Sequence, residues 1–341
     1  MKQDFDIVIV GGGLAGLSLA VAMRTSRLSI AVVEGRLPVQ PDVWDARIYA
    51  VSPANARFLA EIGIWRHFSP ARLGPVREMQ VFGDAGGRLD FSAYDSGVSE
   101  LAWIIEASLM QGELWETVKR QGNVVLFCPA RPQALEIQAD SAQLILEDGI
   151  RLGARLVVAA DGADSWTRQA AGIEVAFMPY RQMGVVANFT CEKPHRDTAC
   201  QWFRADGVLA YLPLPGSNLI SVVWSTSEEH ARELLALPAD EFCRCVASAG
   251  DQHLGGLSRL TPPAAFPLRL MRAPHTVAPR LALIGDAAHT IHPLSGHGIN
   301  LGFLDAGELA QVLRALPDYR DCGDERALRR YERARAEEVA L

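Results

Sequence analysis

The segment Gly11-Gly12-Gly13-Leu14-Ala15-Gly16 constrains this chain more than any other. It follows the apolar run Ile7–Val10 and opens a helical pattern from Leu14 to about Arg24, with Leu14, Leu17 and Val21 on one face. A second apolar run, Ile30–Val33, completes the unit. Strand, glycine turn, helix and strand in this order read as the start of a parallel sheet. Gly11 permits the tight turn, Gly13 lets the backbone approach a pyrophosphate, and Gly16 lets helix and strand pack closely. The helix start offers unpaired N–H groups and the positive end of its dipole to an anion. Glu34, at the end of the second run, can accept ribose hydroxyls. A glycine-rich turn without a ligand is the alternative, and the strand–helix–strand setting with Glu34 favours a nucleotide.

Two further stations share this form. The run Leu156–Ala160 leads into Asp161-Gly162-Ala163-Asp164-Ser165 and a helix through Thr167 and Arg168. The run Leu281–Ile284 leads into Gly285-Asp286-Ala287-Ala288-His289. Carboxylates at the C-terminal ends of buried strands sit at the ligand edge of an open α/β sheet, although Asp-Gly is also a common plain turn. After the third station, Gly296 and Gly298 precede a helix with Ile299, Phe303, Ala306, Ala310 and Leu313 on one face, a second anion-stabilising device. Ser52-Pro53 starts another helix, with Ser52 as N-cap and Gly63 after its end.

Between the second and third stations the pattern changes. Met183–Cys191, Val208–Leu212 and Leu219–Ser225 are β-rich and broken by Pro213, Pro215 and Gly216, as antiparallel strands would be. A strand pair at Glu78–Phe82 and Arg88–Phe91 is expected to join that sheet. The fold class is therefore α/β, with an antiparallel β-rich domain inserted into a parallel one. The boundaries are 1–75, 100–178 and 273–341 for the first domain, and 76–99 with 179–272 for the second. The chain of 341 residues has room for two or three domains. The segment Asp324–Leu341 is a helical pattern with no capping glycine and no following element, so the natural protein is expected to extend further.

Composition excludes several classes. With 49% apolar and 21% charged residues the chain folds rather than stays disordered. A net charge of −7 argues against broad nucleic-acid binding. Six cysteines, the nearest pair spaced C-x-C, indicate free thiols in a reducing cytosol. No uncharged apolar run is long enough to cross a bilayer. His289, His292 and His297 are spaced H-x-x-H-x-x-x-x-H, which is no standard zinc pattern, so no metal is expected. No G-x-S-x-G elbow marks a serine nucleophile.

The three stations in this order resemble the FAD-dependent aromatic hydroxylases related to para-hydroxybenzoate hydroxylase, and within them the ubiquinone-biosynthesis hydroxylases. The string from Gly285 to Leu294, followed by Gly296, Gly298, Asn300, Leu301, Gly302 and Asp305, carries the likeness most strongly. Asp45-Ala46-Arg47 and the segments Gln201–Phe203 and Tyr211–Leu214 add to it. The resemblance implies a Rossmann-like FAD-binding domain with an inserted substrate domain. It implies FAD contacts at Gly11, Gly13, Leu14, Ala15, Gly16, Glu34, Arg36, Arg47, Asp161, Gly162, Gly285, Asp286, Gly298, Ile299 and Asn300. The backbone of Pro293, Gly296 and Gly298 would meet the flavin ring, and His289 is placed with them in a catalytic role. Three features depart from the family. His297 stands where Gln is usual, Ser108 stands where Arg or Gln is frequent, and the family continues beyond the last helix.

By the same resemblance NAD(P)H reduces the flavin, O2 is co-substrate, and a flavin 4a-hydroperoxide hydroxylates an electron-rich ring. The substrate would be a prenylated phenol or quinol of ubiquinone biosynthesis, with a biosynthetic assembly as partner. A cytoplasmic location is expected, with peripheral contact at the inner face of the membrane. Arg326, Arg329, Arg330, Arg333 and Arg335 could meet anionic lipid there, although interleaved acids favour a solvated charged helix. The rival readings are a hydroxylase of a small soluble aromatic, a nicotinamide dehydrogenase without flavin, and a non-catalytic flavoprotein subunit.

Overall fold

The structure is a computed structural model, and it describes residues 2–39, 43–292 and 298–336. The continuous apolar runs form a parallel sheet because both its faces are covered. Its strand order is Val277–Ala278, Leu281–Leu283, Arg151–Ala159, Lys2–Val10, Ile30–Val33 and Val124–Phe127. All neighbours are parallel except the short first strand against the second. An antiparallel hairpin, Pro132–Ile137 and Ala142–Leu146, extends from the Arg151–Ala159 strand. One face of the sheet packs on the helices Leu14–Ala22, Ala107–Val118, Gly298–Arg314 and Glu325–Ala336. The other packs around Leu144, Leu146, Leu152 and the turn after Asp161.

The first helix differs from its expected one-faced form. It ends at Ala22, and every residue from Gly16 to Ala22 is buried. It is sandwiched between the Ala107–Val118 and Gly298–Arg314 helices, so its all-round apolar sequence has partners on every side.

The β-rich insertion is a nine-stranded sheet. Its main path runs His289–Thr290, Ala264–Arg272, Phe177–Cys191, Leu219–Ser227, Gly207–Pro213, Thr198–Arg204, Glu78–Phe82 and Arg88–Ser92. The Glu78–Phe82 hairpin joins it as expected, but through a parallel pairing with Thr198–Arg204. His289–Thr290 enters this sheet from the chain just after the third station, so that station touches both sheets. The helices Glu228–Ala236 and Ala239–Ala249, which periodicity did not single out, cover one face over Trp202, Tyr211 and Trp224. Tyr211 donates its hydroxyl hydrogen to the Val246 carbonyl at 2.7 Å.

A third sheet, Ile48–Val51, Ala102–Glu106 and Gly74–Val76, bridges the two. Its alternation sends Val51 and Ile105 to the first core, and Ile48 and Ile104 to the second domain's side. Glu106 is fully buried there and accepts two hydrogen bonds from Arg72, both 2.7 Å, and one from the Asp45 N–H. Asn188, on the large sheet, donates to the Asp45 carbonyl at 2.8 Å. One loop is thus held from both domains.

All six cysteines are free. Among the described residues no helix is long and apolar enough to cross a membrane. The last helix is not simply a charged surface: Leu328, Tyr331 and Arg335 are buried, and Arg329 pairs with Glu325 at 2.6 Å.

Just before that helix, Asp321 accepts from Arg155 at 3.2 Å, from the Gly323 N–H at 3.0 Å and from the buried Arg280. Burial pushes the Asp321 carboxyl up, but these donors outweigh it and hold its pKa below the ordinary 3.8. The folded value is the lower one, so the stabilisation is present above the ordinary value and is lost as pH falls through the folded one. Asp321→Asn is expected to cost about 1–3 kcal/mol at pH 7 in urea unfolding, with the difference shrinking as the pH is taken below 4.

Candidate functional site

The first turn is shaped by contacts that only glycine allows. Gly11 sits at φ +112, where a side chain would lie 2.2 Å from the Ala160 carbonyl oxygen. A side chain on Gly16 would lie 2.2 Å from the Gly11 oxygen. These approaches weld the first station to the second. Gly13 is different: a Cβ there would meet nothing within 4 Å, and its backbone is extended. No side chain caps the helix that starts at Leu14, whereas the Ser52 hydroxyl does cap the helix beginning at Pro53. The uncapped N–H groups face a cavity of about 1210 Å³ walled by both large sheets. That is larger than an ordinary small-ligand pocket of roughly 300–1,000 Å³.

Gly11, Gly13, Leu14, Ala15, Glu34, Arg47, Asp161, Gly162, Gly285, Asp286, Gly298, Ile299 and Asn300 line this cavity. Gly16 lies behind it, in the helix–strand contact. Arg36 is exposed and away from the wall; its N–H bonds the Glu34 carboxylate at 2.9 Å. Pro293, Gly296 and His297 lie outside the described residues. Gln111, Tyr49, Arg131 and Arg269 also line the cavity, and motif reading missed all four. Gln111 donates to the Gly12 carbonyl at 2.8 Å. The sequence signal for it was the helix after Glu106, in which Gln111 lies about one turn beyond Ser108. Ser108 itself uses its N–H on Asp45, at 3.1 Å.

Several side chains at the stations work within the protein rather than facing outward. Glu34 accepts the Gly12 N–H at 2.6 Å. Asp161 accepts from the Thr167 N–H and hydroxyl, both at 2.9 Å, and from the Ser165 hydroxyl, so it organises the turn into the Trp166–Ala170 helix. Arg168 is fully buried and reaches the Ala163 and Ala287 carbonyls, each at 2.9 Å, tying the second station to the third. Asn300 donates to the Ala50 carbonyl at 2.8 Å and accepts from the Ser52 N–H and the Asn55 amide, each at 2.9 Å. Its side chain pins the bridging sheet to the Gly298–Arg314 helix.

Asp286 is the contrasting case. Its carboxylate makes no hydrogen bond among the described residues, and solvent reaches it through the cavity. The surrounding protein desolvates it and pushes its pKa up, partly offset by Arg47, His289 and Arg269. Arg47 donates to the Tyr49 hydroxyl at 2.6 Å. Burial raises the pKa of that phenol, so it stays a neutral acceptor and donor in the cavity.

His289 does not reach the wall. It is 3% exposed, and its Nε2 lies 2.7 Å from Oδ2 of Asp305. The same carboxylate accepts the Gly285 N–H at 2.9 Å and the Arg335 Nε–H at 2.7 Å. Tyr331, one turn before Arg335, donates to the Leu283 carbonyl at 2.8 Å. The turn carrying Asp286 is therefore held from behind by two helices. Its tightness follows from Gly285 at φ +59 with Ala15 and Gly302 close by.

Comparison with known proteins fits this geometry. A family model described as an FAD binding domain matches residues 4–340. The chain belongs to this family of FAD-binding proteins. It is 35% identical over 318 residues to the 3-demethoxyubiquinol 3-hydroxylase of Escherichia coli, covering 92% of this chain and 80% of that protein. It is 33% identical over 380 residues to the ubiquinone biosynthesis monooxygenase COQ6 of Drosophila melanogaster, covering 97% and 79%. Among solved structures, PqsL of Pseudomonas aeruginosa in complex with 2-aminobenzoylacetate superposes with a TM-score of 0.84 at 24% identity, covering 99% of this chain and 93% of that one, a likeness of fold. The chain is thus a flavin-dependent monooxygenase with a Rossmann-like FAD domain.

Asp305→Asn would remove the buried negative charge that accepts from the Arg335 guanidinium, the His289 ring and the Gly285 N–H. We expect a loss of about 3–5 kcal/mol in urea unfolding of the FAD-free protein.

Proposed function

We propose that this flavoenzyme uses NAD(P)H and O2 to hydroxylate the aromatic ring of a prenylated phenol or quinol in ubiquinone biosynthesis. The observation that carries the substrate class is the roof of the cavity. The three central strands of the large sheet present Ala199, Val208, Ala210, Leu212 and Val223 to it, with only Gln201 and Ser225 polar and no charge. A small aromatic acid would need a cation at that wall to hold its carboxylate. The arginines that line the cavity lie off those three strands: Arg47 bonds Tyr49, Arg269 of the Ala264–Arg272 strand pairs with Asp164 at 2.6 Å, and Arg131 lies against Gly35. The names of the two relatives point to the same substrate class.

FAD fits the residues present. The open side of Gly13, the uncapped start of the Leu14–Ala22 helix and the cavity volume all suit a dinucleotide. The glycine turn would take the pyrophosphate, Glu34 the ribose, Gln111 and Arg47 the middle of the molecule, and the turn at Gly285-Asp286 with the backbone from Gly298 to Asn300 the flavin half. Pro293 and Gly296 remain assigned to the ring by resemblance alone. Bound FAD supplies hydride acceptance from NAD(P)H and the activation of O2. The protein's own part is to bind, orient and exclude water. The positive end of the Gly298–Arg314 helix favours negative charge near it. The apolar roof keeps water from the reacting centre. His289 acts in this reading as a positioning residue through Asp305, not as a group that touches substrate. An apolar substrate also implies work at a bilayer surface, and exposed Leu89, Phe91 and Tyr94 on and beside the outermost strand offer a contact there.

The decisive experiment supplies the FAD-loaded protein with NAD(P)H, labelled O2 and a prenylated phenol. One labelled oxygen in the ring product is expected. Turnover on short carboxylated phenols with none on the prenylated compound would instead make it a hydroxylase of small soluble aromatics. Gly13→Val tests the cofactor site separately. Its extended backbone and open side predict unfolding free energy within about 0.5 kcal/mol of wild type for the FAD-free protein, while the purified variant should be colourless.

A further inference from the structure

The roof strand Thr198–Arg204 alternates faithfully: Cys200 and Trp202 go under the covering helices, while Ala199 and Gln201 turn to the cavity. Across the sheet Gln201 stands in register with Ala210, and Ala210 with Val223, so its neighbours on the cavity face are apolar. Gln201 is only 7% exposed. Its amide makes no hydrogen bond among the described residues, and the cavity is the space it faces. Buried polar side chains are almost always paired. The amide opens to the cavity, so a molecule that displaces water there must complete its hydrogen bonds or leave it unpaired at a cost.

We propose that Gln201 orients the aromatic substrate by hydrogen-bonding an oxygen borne on its ring, a hydroxyl or alkoxy group, while the apolar side chains around it hold the ring and its alkyl substituents. The proposal rests on the ring-hydroxylating function above and adds the group that decides which way the ring lies. An uncharged amide both donates and accepts, so it suits neutral phenols and aryl ethers alike. A site built around such a pairing rejects the analogue that lacks the oxygen, because the amide is then buried unpaired.

Binding to the FAD-loaded oxidised protein is read from the change in flavin absorbance on adding a prenylated phenol or the matching prenylbenzene without the oxygen. Wild type is expected to prefer the phenol by about 10-fold. In Gln201→Leu, and in the near-isosteric Gln201→Met, the preference should fall to about 2-fold or less, with KM raised and FAD affinity unchanged. Either variant that loads FAD normally is sufficient for the comparison. An undiminished preference in the loaded variants overturns the proposal, and so does a wild type with no preference for the oxygenated ring. If wild type binds neither prenylated compound, the prenylated-substrate reading fails on its own. Short phenols and their deoxy analogues then decide Gln201 by the same ratios.

Discussion

A single buried carboxylate organises the centre of this molecule. Asp305 accepts from the Gly285 N–H and the His289 ring, both of the third station, and from the Arg335 guanidinium of the last described helix. In a water-free interior each of these bonds is obligatory, since an unpaired partner has no solvent to turn to. The turn that carries Asp286 is consequently fixed from its rear, and its front is left clear for the cavity. Arg335 arrives on the last described helix, and Tyr331 of that helix holds the Leu283 carbonyl, so the strand before the turn is gripped as well. An element that looks in sequence like a charged surface helix is part of the frame of the site.

The cavity owes its character to the way two sheets divide the work. The parallel sheet brings backbone N–H groups and carboxylates to one edge, where glycines bring its turns together. The large sheet turns a mostly apolar face to it, because alternation puts Trp202, Tyr211 and Trp224 under the covering helices instead. The same space therefore has a wall of polar turn backbone opposite a mostly apolar one. The loop at Asp45 keeps those walls in register, held by Glu106 from the bridging sheet and by Asn188 from the large one.

The residues legible in the sequence were those whose role is set by backbone geometry. Gly11 and Gly16 could be read because close backbone approach excludes side chains at fixed spacings from a strand. Polar residues at the same stations were less legible. Asp161, Asn300 and His289 occupy positions where a ligand contact was expected, and all three spend their side chains on protein groups. Short-range motifs locate a residue at the sheet edge but do not determine where its side chain points. Gln111 shows the converse. Helix geometry carries it to the Gly12 carbonyl, while Ser108 near the helix start turns its N–H to Asp45. The helices from Glu228 to Ala249 were missed because their amphipathic pattern gains meaning only against the aromatic face they cover.

Sequence alone determined the parallel unit, the interruption by a β-rich insertion, the nucleotide-type glycine turn and the family likeness. Each of these depends on local periodicity or on the steric demands of one residue, both of which are written in consecutive letters. Tertiary structure alone decided which polar side chains remain open to the cavity. Asp286 and Gln201 remain open, while Asp161 and Asn300 are engaged, and the difference lies in partners that come from distant parts of the chain. Satisfaction of a buried polar group is a property of everything packed around it, so it exists only once the chain has closed.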